Sequence, residues 1–199
     1  MADAGRVIAG SAKGVRLEAP GSGTRPLADR VKQTLFAVLE PELEGAVVLD
    51  LFAGSGAGGI EALSRGAARA VFVERDGGAA RVVADNLRRA SVADRGEVVR
   101  REALAWLGDP AGAAAAGPFA IVLVDPPYAD ADLLVHALEL VGPHVTVGGV
   151  VVAKHFWRSA TPAATGLLAS VRERRFGETA LTFYRRRSAP PEREEAVEE

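Results

Sequence analysis

The fold is decided by a stretch that predicts a buried strand followed by a glycine-rich turn, Val47-Val48-Leu49-Asp50-Leu51-Phe52-Ala53-Gly54-Ser55-Gly56-Ala57-Gly58-Gly59. Its first five residues are apolar except for Asp50, which is typical of a strand covered on both faces of a parallel sheet. The glycines that follow fit a tight turn from strand to helix. Open α/β sheets bind nucleotide-like ligands at this kind of turn, so the stretch predicts both a fold class and a site.

Outward from this stretch, apolar strands alternate with amphipathic helices. Further strands are predicted at residues 70–74, 97–100, 120–124 and 150–153. Helices are predicted at residues 54–66, 79–90 and 132–141. Two long strands within residues 170–187, which turn near Gly177, complete a mostly parallel sheet of seven strands with an antiparallel edge pair. Because apolar strands joined by helices need cover on both faces, the chain is predicted to be a Rossmann-like α/β protein.

The main domain is predicted to occupy residues 42–187, preceded by an extension at residues 1–41 and followed by a tail at residues 188–199. The tail contains five Glu against one Arg, which is typical of an acidic disordered segment. Within the domain, the Ala/Gly-rich run 111–117 is predicted to be a surface loop.

The extension combines a small hairpin with a helix. Two short strands, residues 6–9 and 15–18, flank a turn-forming group at residues 11–14. A helix is predicted at residues 27–40, ended by Pro41.

Composition excludes several classes of protein. The 199 residues are 48% apolar and 25% charged, as in an ordinary globular domain. Cys is absent, which excludes thiolate metal sites, cysteine nucleophiles and redox CxxC pairs, and agrees with a reducing cytoplasm. No uncharged apolar run approaches the roughly 20 residues that span a bilayer, and the first residues lack a secretion signal. A soluble cytoplasmic protein without a metal or a membrane partner is predicted.

The glycine turn predicts a site for an adenosine-containing ligand. Gly54, Ser55 and Gly56 open a helix whose N-terminal N–H groups suit a carboxylate or a phosphate. Glu74 lies 20 residues after Gly54, where a carboxylate can accept both ribose hydroxyls. Asp50 is unfavourable beside a pyrophosphate but favourable beside an ammonium and a sulfonium, so S-adenosylmethionine is favoured over NAD(P). A nicotinamide oxidoreductase and a turn without ligand remain the alternatives.

A second site follows the strand at residues 120–124, at the same edge of the sheet. Asp125-Pro126-Pro127-Tyr128 is stiffened by two prolines that lack N–H donors, so it presents hydrogen-bond acceptors and one aromatic ring. The Asp125 carboxylate and the Pro126 carbonyl could accept both hydrogens of a planar exocyclic amine, and Tyr128 could stack on the base. A rigid turn that ends in a packed Tyr is the structural alternative.

These residues carry a resemblance to a known family. Asp125-Pro126-Pro127-Tyr128 resembles the [DNS]-P-P-[YFW] motif of methyltransferases that modify amines conjugated to planar groups. Together with segments elsewhere in the chain, it resembles the RsmD family of bacterial 16S ribosomal RNA guanine-N2 methyltransferases. The matching segments are residues 6–10, Gly14, Leu17, residues 24–36, 50–56 and 61–66, and Glu74.

The resemblance implies a class I methyltransferase fold, S-adenosylmethionine as donor, and N2 methylation of one guanine in 16S rRNA carrying ribosomal proteins. By position, the donor would be held by Asp50, Gly54, Ser55, Gly56 and Glu74, with Ala103 near the adenine. The guanine amine would be held by Asp125, Pro126 and Tyr128. Two positions depart from the family pattern, Glu102 and Lys154, and neither Lys154 nor His155 is assigned a catalytic role.

Basic residues in the extension predict an RNA contact beside the site. They are Arg6, Lys13, Arg16, Arg25, Arg30 and Lys32. Such a group could grip phosphates, and a solvated face is an equal alternative. The basic runs 172–175 and 185–187 are interpreted as protection of an edge strand.

Two further functions remain open from the sequence. A DNA adenine or cytosine methyltransferase shares both motifs but usually carries a target-recognition insertion, for which about 200 residues leave no room. A non-catalytic rRNA-binding assembly factor could keep the fold without the reaction.

Overall fold

A computed structural model describes residues 2–21, 28–128 and 130–188. The strands within these ranges are β1 (Ala2–Arg6), β2 (Arg16–Ala19), β3 (Val47–Leu51), β4 (Arg69–Val73), β5 (Gly96–Val99), β6 (Phe119–Val124), β7 (Val145–Phe156), β8 (Ala164–Thr165), β9 (Leu168–Phe176) and β10 (Thr179–Arg186). The α-helices are α1 (Asp29–Leu43), α2 (Ala57–Ser64), α3 (Gly77–Arg89), α4 (Ala103–Leu107), α5 (Ala113–Ala116) and α6 (Ala131–Val141).

The central sheet has the strand order β5-β4-β3-β6-β7-β10-β9-β8. The five strands β5, β4, β3, β6 and β7 run parallel. β10, β9 and β8 continue the sheet, and each is antiparallel to the strand before it. Val48 of β3 belongs to the core on one face, whereas Leu49 and Leu51 belong to the core on the other face. Burial on both faces explains the apolar runs and confirms the predicted Rossmann-like α/β fold.

The sheet contains one strand more than the seven predicted. The addition is β8, whose two residues pair with Leu168 and Ala169 at the start of β9. A strand of two residues shows no period in a sequence, so the pattern could not reveal it. β7 is also longer than predicted, since it starts at Val145 and extends to Phe156.

The predicted hairpin of the extension is present, but its first strand is β1 (Ala2–Arg6) rather than residues 6–9. Ile8 and Ala9 leave the strand ladder because their N–H groups donate to the buried carboxylate of Glu61, at 2.7 and 3.1 Å. Asn86 holds β2 in the same way, accepting from the Glu18 N–H and donating to the Glu18 carbonyl. Buried polar side chains therefore fasten the extension to the domain.

One predicted helix end and one predicted loop are wrong. Pro41 lies inside α1 instead of ending it. Pro41 removes one N–H late in the helix, and continuation to Leu43 buries that side chain in the core. The Ala/Gly-rich segment predicted as a loop contains α5, because fully buried Ala113 packs in the cluster formed around Trp106 and Phe119. Small side chains without an apolar period gave no sign of this packing.

Two other predictions, the acidic tail and the RNA contact at Arg25, lie wholly or mostly outside the described residues. The acidic tail at residues 188–199 is described only at Ser188, and Arg25 falls in the undescribed segment 22–27. Across the ranges that the structure describes, no helix has both the length and the apolar character required to cross a bilayer.

Candidate active site

The glycine turn and the Asp-Pro-Pro-Tyr segment open into one cleft. They follow β3 and β6, which are adjacent parallel strands with Leu51 opposite Val124. The cleft has a volume of about 770 Å³, within the range of small-molecule sites. Pro20 and Leu35 of the extension also line it. The structure therefore brings both predicted half-sites together at the carboxyl ends of the strands, where such sheets bind ligands.

The glycines of the turn serve backbone geometry and packing. Gly54 and Gly56 have φ values of +57° and +76°, in the left-handed region that glycine favours. A Cβ on Gly59 would lie 2.3 Å from the Phe72 ring, so glycine lets α2 approach β4 closely. Phe52 also adopts a positive φ, +68°, which costs about 1–3 kcal/mol in a non-glycine residue. The turn is a strained, shaped segment that lines the cleft.

Glu74 is fixed at the end of β4 by two backbone groups. Its Oε2 accepts from the Gly54 N–H at 2.9 Å, and its Oε1 accepts from the Asp76 N–H at 2.8 Å. Each carboxylate oxygen has a second lone pair, so both can still accept from a hydroxyl. The residue lines the cleft and fits the predicted role of a ribose acceptor.

Asp50 is a buried carboxylate at the floor of the cleft. Its Oδ2 accepts from the Gly59 N–H at 2.8 Å. Burial raises the pKa of Asp50 to about 7, with the Gly59 N–H opposing that shift and the negative charges of Asp125 and Glu74 adding to it. A cation bound here would favour the ionised form, which fits an ammonium or a sulfonium better than an anionic group.

The other predicted donor residues also surround the cleft. Ser55 is buried, and its carbonyl accepts from Asn86. Ala103 is the first residue of α4 and is buried at the cleft wall. The side chain of Glu102, which departs from the family pattern, caps α4 by accepting from the Ala105 N–H at 2.8 Å. The site thus offers a small apolar surface at Ala103 beside a carboxylate that stabilises a helix.

The Asp-Pro-Pro-Tyr corner of the cleft, formed by residues 125–128, also contains Lys154, for which the sequence predicted no catalytic role. Lys154 donates from Nζ to both carboxylate oxygens of Asp125, each at 2.7 Å, with only 13% of the lysine side chain exposed. The same ammonium lies 5.1 Å from the centre of the Tyr128 ring, a cation–π distance. Tyr128 is held in turn by a hydrogen bond between its Oη and Thr179 Oγ1 at 2.9 Å.

Lys154 could have been found from strand register. Ala153 pairs with Val124, so the next residues, Lys154 and Asp125, lie side by side at the same sheet edge. Burial raises the pKa of Asp125, and the Lys154 charge opposes that rise. His155 lies on the opposite face, where Nε2 is 2.9 Å from Thr182 Oγ1, and is a buried structural residue.

The basic residues of the extension do not form one exposed group. The structure contradicts the prediction for Lys32, which is fully buried and donates to the Arg6 carbonyl. Arg6 and Arg16 are exposed but form ion pairs with Asp29 and Asp3, at 3.2 and 3.1 Å. Lys13 and Arg30 are exposed, and Arg25 lies outside the described residues. A count of charges could not reveal this, since ion pairing and burial depend on the fold.

The described ranges contain no group of three or more His, Asp and Glu side chains that could hold a metal ion.

Known proteins resemble this chain over most of its length. A family model described as "Conserved hypothetical protein 95" matches residues 5–185. The Bacillus subtilis protein named "Putative rRNA methyltransferase YlbH" is 37% identical over 185 residues, which cover 92% of this chain and 99% of that protein. The Escherichia coli "Ribosomal RNA small subunit methyltransferase D" is 43% identical over 124 residues, 62% of this chain and 60% of that protein.

A solved structure shows the same fold. The Escherichia coli protein titled "Putative methyltransferase yhhF" superposes with a TM-score of 0.81 at 32% identity and covers 92% of this chain and 98% of its own. The likeness to the RsmD family that the motifs indicate is confirmed, and the chain belongs to the family described as Conserved hypothetical protein 95.

Proposed function

We propose that the protein transfers a methyl group from S-adenosylmethionine to the exocyclic N2 amine of a guanine in 16S ribosomal RNA. The observation that carries the proposal is a shared cleft, which is lined by Asp50 and Glu74 together with Asp125, Pro126 and Tyr128. The names of the Bacillus and Escherichia relatives support ribosomal RNA as the substrate class.

The donor half of the cleft suits a cationic nucleoside. When bound, S-adenosylmethionine supplies an electrophilic methyl group on a sulfonium. Glu74 would accept the ribose hydroxyls, Ala103 would pack beside the adenine, and the N–H groups at the start of α2 would bind the methionine carboxylate. Asp50 offsets the positive charge of the donor. The donor in turn stabilises the ionised form of Asp50, which burial alone disfavours.

The acceptor half orients the amine. Asp125 and the Pro126 carbonyl each accept one amine hydrogen, which turns the nitrogen lone pair towards the methyl carbon. A nitrogen–carbon bond forms as the carbon–sulfur bond breaks, sulfur keeps the electron pair, and the nitrogen gives up one proton to Asp125 or to water. Lys154 holds the Asp125 carboxylate in place through both oxygens, each of which retains a lone pair for the amine.

The guanine has to leave its stack to reach this corner. Enzymes that act on a base draw it into a pocket, at a cost of a few kcal/mol. Tyr128 replaces part of the lost stacking, because Thr179 fixes one end of its ring and Lys154 lies over the ring. An rRNA segment already opened by bound ribosomal proteins lowers this cost, so a partly assembled small subunit is the proposed substrate.

The deciding experiment maps modified nucleosides by mass spectrometry. The protein is incubated with labelled S-adenosylmethionine and either 16S rRNA, a partly assembled small subunit, 23S rRNA or DNA. N2-methylguanosine in 16S rRNA, with more label in the assembled particle, is expected. Methyladenine or methylcytosine in DNA would assign the protein to the other amino-methyltransferases. RNA binding without label would identify an assembly factor, and calorimetric binding of NAD(P) instead of the donor would identify an oxidoreductase.

A further inference from the structure

We propose that the antiparallel hairpin of β9 and β10, with the two residues that directly follow β7, is the surface that grips the RNA strand next to the target nucleotide. We call it the basic hairpin surface; it comprises Trp157, Arg158, Arg172, Arg174 and Arg175. The inference rests on the proposed function, because it names the part of the protein that holds that substrate.

The first observation is the unusual exposure of β9. Residues 170–175 are all exposed, although side chains that alternate along a strand point to opposite faces of the sheet. The neighbouring strand β10 is buried over residues 180–184. β9 therefore extends past the helices that cover the rest of the sheet and presents both of its faces to solvent.

The second observation is the register between this surface and the cleft. Lys154 of β7 pairs with Leu181 of β10, and Leu181 pairs with Arg174 of β9. Paired residues project to the same face, and both Lys154 and Leu181 line the cleft. Arg174 therefore continues the cleft wall outward, about 10 Å from Lys154 at the ordinary spacing of strands.

Arg172 lies on this same face, opposite Phe183, so two arginines project side by side from the strand that lies beyond β10. The acid between them, Glu173, belongs to the other face, where its Oε2 accepts from Thr182 Oγ1 at 3.2 Å. The alternation of the strand thus keeps Arg172 and Arg174 apart from Glu173, which shares the other face with Arg175. Two guanidinium groups beside the mouth of the cleft match the phosphates of a strand that leads into it.

The third observation is a stack of cations on an indole at the end of the hairpin. The Arg175 guanidinium lies 3.5 Å from the centre of the Trp157 ring, and Arg158 lies 4.7 Å from it. The hairpin is tied to the catalytic corner at this end, since Thr179 bonds to Tyr128. Planar guanidinium and aromatic groups are the platforms on which unpaired RNA bases stack.

The extension is less suited to the same role. Lys32 is buried, and Arg6 and Arg16 are already paired with carboxylates. Arginines along an open strand also prevent association between sheet edges, which is the alternative reading of this run. The two readings differ in what the arginines affect: RNA affinity in one, the association state of the protein in the other.

The test uses a double variant that combines Arg172→Ala and Arg174→Ala. A matched control combines Arg81→Ala and Arg88→Ala. The control removes two exposed arginines from α3, which joins β4 to β5, the edge strand at the opposite end of the sheet from β9. Of the two, Arg88 forms an ion pair with Asp85. Binding to transcribed 16S rRNA is measured over a range of salt concentrations, with donor affinity by calorimetry and mass by light scattering.

We expect the β9 variant to bind RNA about tenfold more weakly, with a salt-dependence slope reduced by about 1.5 for two lost phosphate contacts. The KM for rRNA should rise while kcat, donor affinity and monomer mass stay unchanged. Trp157→Ala should weaken RNA binding about threefold or more by removing the support of Arg175. The control should bind RNA like the unaltered protein.

Unchanged RNA affinity of both β9 and Trp157 variants would overturn the proposal, whether or not the β9 variant associates. Equal weakening in the α3 control would also overturn it, since net charge alone would then explain the effect. The substitution of both β9 arginines by Lys should restore most of the affinity if charge at this place matters. If the unaltered protein binds RNA tightly but does not methylate guanine, the proposed function is contradicted and the RNA-binding role of this surface is not. If the variants methylate guanine with an unchanged KM for rRNA, the role of this surface is contradicted and the proposed function is not.

Discussion

Asp50 and Asp125 are two carboxylates of one cleft, on adjacent parallel strands, yet they are neutralised differently. Asp50 accepts a backbone N–H from Gly59, and burial raises its pKa to about 7, with the charges of Asp125 and Glu74 adding to that rise. Asp125 is held by the ammonium of Lys154 through both oxygens. A carboxylate that is surrounded by other acids is ready for a cationic ligand, whereas a carboxylate that already has a cation is ready for a neutral amine.

In the proposed function, this difference in charge separates a donor half, which contains Asp50, from an acceptor half, which contains Asp125. It also explains why two acids can remain close in a buried site: Lys154 offsets one of them, and the bound donor offsets the other. Substitutions that remove or exchange these charges test the division.

The largest effect is expected from Asp125→Asn. The amide keeps the shape but offers one acceptor instead of two and no negative charge, so methyl transfer should fall at least about 100-fold. Donor affinity should stay within about threefold, because Asp125 belongs to the acceptor half. Single-turnover rates and calorimetry measure the two quantities, and Asp132→Asn, an exposed acid on α6, is the control. Activity within a few-fold of the unaltered protein would remove Asp125 from the mechanism.

Lys154→Met should make Asp125 resemble Asp50. Without the ammonium, burial raises the pKa of Asp125 further, because the charge that opposed this rise is gone. The protonated acid then carries a hydrogen on one oxygen and is a weaker acceptor for the amine. Methyl transfer should fall about 10- to 100-fold, and the acid limb of its pH profile should move to higher pH.

Lys154→Arg keeps the charge and should recover part of the rate, with the acid limb near its original position. A profile that does not move in the Met variant would show that Lys154 has no part in setting the charge of Asp125.

Asp50→Asn should weaken donor binding by about 30-fold or more, as expected for loss of one buried charge partner. The same variant should be more stable than the unaltered protein before donor binds. Asp50 has a pKa of 3.8 in an exposed setting and about 7 in the fold, so stability falls as pH rises from about 4 to 7. Calorimetry and thermal unfolding at pH 8 give both numbers; a variant that loses stability would contradict this reading of Asp50.

The smallest effect is a pH dependence of donor binding. With a pKa of about 7, Asp50 is about nine-tenths ionised at pH 8 and about one-tenth ionised at pH 6. Because a cationic donor favours the ionised form, its affinity should fall roughly tenfold from pH 8 to pH 6, with protons released on binding at the lower pH. The dependence should disappear in Asp50→Asn. An affinity that is flat with pH in the unaltered protein would place the donor cation away from Asp50.

The sequence predicted the elements whose pattern is local. The run from Val47 to Leu51, the glycine turn and the Asp-Pro-Pro-Tyr segment each carry a period or a motif within a few residues, and all three lie where the parallel-sheet rules place them. The family was predicted from the glycine turn and the Asp-Pro-Pro-Tyr segment together with segments of the extension and residues 61–66, and it is confirmed.

What the sequence did not reveal depends on contacts between distant segments. Lys154 is 29 residues from Asp125, and their pairing follows from the register of β6 and β7. The sequence does not distinguish Lys32 from the other basic residues of the extension, but the fold buries Lys32, which donates to the Arg6 carbonyl. β8 and α5 are too short for a period, and they form because neighbours such as Leu168 and Trp106 complete their packing.

The most direct test of the cleft is a crystal structure of the protein with S-adenosylhomocysteine, which has the shape of the donor after transfer. We expect its ribose at Glu74, its amino group near Asp50, and its sulfur directed towards Asp125 and Tyr128. A ligand bound elsewhere, or bound with its sulfur turned away from the Asp-Pro-Pro-Tyr corner, would contradict the account.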